Sequence, residues 1–210
     1  MEHDPHSTEQ PGHTAALTGV RVQLANLTGA GEEAVSQLDL LEQLRALKAA
    51  CAAAEARVAV TFATDRVTEA QERGASLRAQ QRSAVAELAL AHRCSPASMS
   101  RRLTQWRMQV RALPRVHTLL SDGQISEHHA SVITRMAHHL TDDQLAGLDD
   151  ELAPRLAGMT VTQAEQATRR YCQSVDEETE KRRIAAAARE AHISIRAVSL
   201  ELARLSITAP

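Results

Sequence analysis

From Leu88 to Ser121 the chain carries Arg93, Arg101, Arg102, Arg107, Arg111 and Arg115 and no acidic residue. Guanidinium groups at that density call for a polyanion, and phosphate oxygens match their planar fork of donors. Ser95, Ser98, Ser100 and Gln105 lie among them and can hydrogen-bond phosphates or base edges. The whole chain has a formal net charge of -2, so a nucleic-acid surface must be a local patch. All but two of the 24 basic residues are Arg, so arginine number alone says little; the missing acids carry the signal. The candidate duplex-DNA contacts are Arg93, Ser95, Ser98, Ser100, Arg101, Arg102, Gln105, Arg107 and Arg111.

These residues need a helical frame. In Glu87–Leu103 (ELALAHRCSPASMSRRL), Leu88, Ala89, Cys94, Met99 and Leu103 occupy the apolar positions that lock the two helices of a helix-turn-helix at a steep angle. The unit is expected over residues 84–111. Ser95-Pro96 opens its second helix, since Ser caps free amides and Pro suits the first turn, and the amides left over suit a phosphate. The turn has Arg93 where Gly is usual and His92 just before it, which predicts a wider turn.

Other chemistry is poorly supplied. His128-His129 and His138-His139 are adjacent pairs whose side chains point about 100° apart on a helix, and none has a partner at i+4, so no metal site is expected. His129 reads as a packing or capping residue. Asp142-Asp143 suits a helical first turn, and Asp149-Asp150-Glu151 reads as a solvated face. Trp106 reads as core. No nucleophile with a histidine partner and no glycine-rich phosphate loop stands out, so neither catalytic residue nor cofactor is expected. Cys51, Cys94 and Cys172 are odd in number and widely spaced, which argues against a disulfide framework and points to a reducing compartment. With no long apolar run and a polar opening (MEHDPHSTEQPGHTA), the expected location is the cytoplasm, away from membranes.

Apolar residues make up 43 % of the chain and aromatics 1 %, so a core must be built of Ala, Leu, Val and Ile, which predicts an all-α fold. Residues 1–14 read as a disordered tail and 15–190 as a multi-helix domain. Ala15–Leu27 forms a short helix. A long helix follows from Ser36 to Arg73 with the stripe Leu38, Leu41, Leu44, Leu47, Cys51, Ala54, Val58 and Phe62, either a pairing arm for a homodimer or a face packed on its own domain. Ser83 precedes the next helix. Pro114 opens a short helix stopped by Asp122-Gly123, Ser126 caps one through Ala137, and Thr141 and Thr160 start two more with capping-box spacing, the second breaking near Val175. His192–Arg196 alternates like a strand with Ala203–Ile207 as partner, giving a short β element over 191–210.

Two resemblances follow from these blocks. The helix-turn-helix, then Leu113-Pro114, Leu120, Gly123, Ile125-Ser126 and His129-Ala130, resembles the central DNA-binding region of ParB-type partition proteins, without that family's nucleotide-binding and clamp-closing motifs. More broadly, Leu38 to Arg196 resembles the 13E12-repeat family, a domain of unknown function that usually precedes an HNH endonuclease domain. That resemblance implies a helical region that helps a nuclease engage DNA. An HNH site needs two histidines with an asparagine between them, and the only asparagine is Asn26, so that chemistry is not expected in these residues. The chain reads as ending before a nuclease, as a truncated or standalone DNA-binding half, or as working with a separately encoded one. The alternative function is a helical dimerisation or protein-interaction module without direct DNA contact.

Overall fold

The computed structural model describes residues 13–28, 33–74, 76–190, 192–197 and 203–208; beyond Glu177, only Lys181 is described at the side-chain level. Among the described residues there are eight helices: α1 (His13–Ala25), α2 (Ala34–Glu72), α3 (Leu77–Ala91), α4 (Pro96–Arg111), α5 (Pro114–Ser121), α6 (Glu127–Met136), α7 (Asp142–Leu156) and α8 (Val161–Glu190). By its contacts the chain divides into two units, Met1–Leu44 and Arg45–Pro210, with the division falling inside α2. The expected tail over 1–14 lies outside the described residues as far as position 12, and His13 and Thr14 belong to α1.

The larger unit is organised on alanine. Ala49, Ala53, Ala56, Val60 and Ala63 recur along α2 at intervals of four and three and are all buried. Ala49 and Ala53 join a core with Leu113, Val116, Leu120, Ile133, Leu148, Leu152 and Leu156, while Ala56, Val60 and Ala63 join a second core with Leu88, Met99, Leu103 and Trp106. Methyl side chains let the helix axis come close to its neighbours, so one helix serves both cores. This is not the stripe expected from the sequence. Leu47, Cys51 and Val58 are exposed and Ala54 and Phe62 half-buried, so α2 packs on its own body through a different face.

Local signals set most boundaries. Thr141 and Thr160 form reciprocal capping boxes with Gln144 and Gln163. At α6 the same geometry uses His129, whose Nδ1 accepts from the Ser126 N–H at 3.2 Å while Nε2 donates to Met159 O at 3.0 Å. Gly123 ends α5 with φ +71°, and a Cβ there would lie 2.7 Å from the Ala46 Cα of α2, so both conformation and space demand glycine. Two boundaries are corrected. Helix α3 starts at Leu77, not after Ser83, whose hydroxyl donates to Glu87 one turn on; and α8 runs unbroken past Val175 to Glu190, since nothing there removes a backbone donor.

The fold class is corrected too. The sequence reading joined a short C-terminal β element to the all-α domain, but the body from α2 to α8 is built of helices alone. Residues His192–Ala197 and Ala203–Thr208 pair antiparallel with each other, Ile195 opposite Leu205, and among the described residues neither strand extends into a larger sheet. A period of two marks residues that can pair as a hairpin, but two strands alone do not supply a sheet on which a domain is built, so the class is all-α.

Candidate nucleic-acid interface

Helices α3 and α4 meet through a tight turn at the place where the sequence predicts a helix-turn-helix. Leu88, Ala89, Met99 and Leu103 are buried between them and Cys94 is half-buried. The expected wider turn is absent. Arg93 adopts φ 52°, the left-handed conformation that glycine takes most cheaply, and Cys94 N–H reaches back to Ala89 O at 3.0 Å. The chain turns as tightly as with glycine while an arginine carries the strain.

Ser95 caps α4 by accepting from Ser98 N–H at 3.2 Å. The expectation of several free amides is corrected: Pro96 has none, Ser98 spends its own on the cap, and Met99 donates to Ser95 O at 3.0 Å. At most the Ala97 N–H remains for an anion.

The arginines separate into two kinds. Arg102 is half-buried and tied to its own fold. Its guanidinium lies 4.8 Å from the Trp106 ring centroid and makes ion pairs with Glu55 at 3.8 Å and Glu127 at 3.6 Å. Glu55 also meets His92 Nδ1 at 3.2 Å, and His92 rests against Trp106. Thus Arg102 ties α4 to α2 and α6, and Trp106, buried as expected, is the surface it lies on. Arg115 pairs with Asp150 at 3.1 Å. By contrast Arg93, Arg101 and Arg107 have no acidic partner among the described residues. Arg107 is half-buried, and burial followed by repulsion from Arg111 lowers its pKa from the usual arginine value. Arg111 donates to Thr64 Oγ1 at 2.7 Å and is exposed.

Helical phase distributes the remaining residues. Ser98, Arg101, Arg102 and Gln105 line a cleft of about 320 Å³ with Gln109 and the α6 residues Glu127 and Ser131. Around the helix, Ser100, Arg101 and Gln105 border a shallower hollow of about 340 Å³ with Thr104, Arg135 and His138. Those last three were missed in the sequence. Thr104 follows Ser100 by one turn, a signal that was there to be read, whereas Arg135 and His138 reach the site only through the packing of α6 on α4.

Two further groups hold this surface in place. Asp149, read as part of a solvated face, is 3 % exposed: its carboxylate accepts from Arg115 N–H and Val116 N–H, both at 2.9 Å, and so caps α5 from α7. Gln109 donates to His117 Nδ1 at 3.1 Å, leaving the buried His117 Nε2 without a partner. Burial first, and then the charge of Arg57, lower the His117 pKa from its ordinary value near 6.5.

Among the described residues no three His, Cys, Asp or Glu side chains come together as a metal site would need, and no helix is long and apolar enough to cross a membrane. No curated protein and no solved structure matches the chain. The model of one family, described as Domain of unknown function (DUF222), matches residues 38–210, which takes in α2 from Leu38 onward, α3, α4 and every later element. Since that match covers most of the sequence, the chain belongs to the DUF222 family.

Proposed function

We propose that this chain is a DNA-engaging module that grips duplex DNA through the outer face of α4 and the turn before it. The observation that carries the reading is that Arg93, Arg101 and Arg107 stand without acidic partners among the described residues, while Arg102 and Arg115 each face carboxylates of the fold. An unpaired guanidinium beside hydroxyls and an amide is suited to phosphate oxygens, and α4, as the second helix of the motif, is the element that such motifs present to a groove. The resemblance to the 13E12-repeat family supports a role beside an HNH-type nuclease.

The test is fluorescence anisotropy of a labelled duplex at two salt concentrations. Arg101→Ala weakens binding and flattens the slope of log K against log salt by about 0.9, the effect of one lost phosphate contact. Arg102→Ala instead lowers thermal stability, because it strips Trp106 of its cover, takes the ion pair from Glu127 and leaves Glu55 with His92 alone. Binding that is absent at low salt, or indifferent to Arg101, refutes the reading.

A further inference from the structure

The N-terminal unit carries apolar faces that its own residues leave uncovered. Leu17, Val20, Leu24 and Leu27 recur at intervals of three and four along α1 and just past it, and are 67 %, 41 %, 39 % and 44 % exposed. At the start of α2, Val35, Leu38 and Leu41 are 69 %, 66 % and 62 % exposed. No described residue of Met1–Leu44 is buried, so this unit has helices but no core. A helix of 13 residues is marginal alone in water, which makes an unpartnered α1 an incomplete structure.

We propose that this unit pairs with the same unit of a second copy of the chain, α1 of one protomer lying antiparallel on the start of α2 of the other. The exposed area of those seven side chains is roughly 600 Å² per protomer, so two copies bring together about 1,200 Å², the lower edge of the range for specific, stable interfaces. Charge favours this arrangement over its rivals. The charged side chain of α1 is Arg21, whereas Glu33 and Asp39 mark the start of α2, so crossing α1 onto α2 joins opposite signs while like on like opposes equal ones. Arg21 follows Val20 and Asp39 follows Leu38, each on the same flank of its apolar stripe, and antiparallel packing brings equal flanks together. The pairing is independent of DNA binding by α4.

Sedimentation of the full chain over about 1–100 µM tests it. The expected mass is twice the 22.8 kDa of one chain. Leu17→Asp with Leu24→Asp raises the dissociation constant by at least about a hundredfold, and so does Leu38→Asp with Leu41→Asp. Arg21→Asp weakens the dimer, and adding Asp39→Arg restores it. Val58→Asp, an exposed position of α2 that belongs to the larger unit, leaves it unchanged, and an unaltered thermal melt of the helical body shows that each variant is folded. A monomer at every concentration, a dimer indifferent to the Leu17 and Leu24 changes, or a failed charge reversal overturns the proposal.

Discussion

Replacing Arg93 by Gly separates the conformational role of this residue from its charge. At φ 52° an L-residue bears a penalty of about 1–2 kcal/mol, which glycine does not. Glycine has more freedom to lose on folding, worth about 0.5–1 kcal/mol, so Arg93→Gly stabilises the protein by about 0.5–1 kcal/mol net. For a chain of this length that raises Tm by about 1–4 °C. DNA affinity moves the other way: one cation is lost and the salt slope flattens by about 0.9. Arg93→Ala is the matched control, since it loses the same charge but keeps the strain; its Tm stays near that of the parent while its DNA binding falls as far as that of Arg93→Gly. Thermal unfolding and duplex titration of the three proteins supply the numbers. If Arg93→Gly melts lower than the parent, the side chain supports the turn and the strain argument fails. If both variants bind DNA as the parent does, Arg93 lies outside the footprint.

Two stability predictions come from buried polar groups. Because the folded-state pKa of His117 is lowered, the unfolded chain takes up a proton that the folded chain refuses; stability is fully present above about pH 6.5 and is lost as pH falls toward the folded value. His117→Gln removes this component, so the fall in urea midpoint between about pH 7.5 and 5.5 is smaller in the variant; an equal fall places the dependence elsewhere. Asp149→Ala uncaps α5 and costs at least about 2 kcal/mol in urea unfolding, whereas Asp150→Ala, which breaks an exposed pair with Arg115, costs under about 1 kcal/mol. Equal costs for the two would show that the buried bonds to Arg115 and Val116 do not hold α5.

What could be read in the sequence was local. Ser95, Ser126, Thr141 and Thr160 cap helices because the groups they satisfy lie within three residues of them, and the buried positions of α3 and α4 follow a short, fixed spacing. What could not be read depends on distant chain. Asp149 looks like one acid in an acidic run until α5 arrives 33 residues away in sequence to be capped. The leucines of α2 outweigh its alanines on any hydrophobicity scale, yet the alanines are buried because two sets of helices must approach this one closely, and only the assembled body imposes that demand. The fate of each arginine is likewise tertiary: Arg101 and Arg102 are neighbours in sequence, but a step of about 100° turns one to solvent and the other onto Trp106 between two carboxylates.

That last distinction yields a number. If all six arginines between Leu88 and Ser121 each neutralised a phosphate, log K would fall with log salt at a slope of about -5.4. With Arg102 and Arg115 already engaged by Glu55, Glu127 and Asp150, only Arg93, Arg101, Arg107 and Arg111 remain from that stretch, and the slope drops to about -3.6, with Arg135 able to add one further phosphate. Pulling Arg102 onto DNA would uncover an indole and leave two carboxylates facing the phosphates, a repulsion that offsets the attraction between the guanidinium and its phosphate. A duplex titration at several salt concentrations therefore yields a slope between about -3.6 and -4.5. A value near -5.4 that flattens on Arg102→Ala means the clamp opens on binding, and a value above about -2 means that α4 is not the principal DNA-binding element.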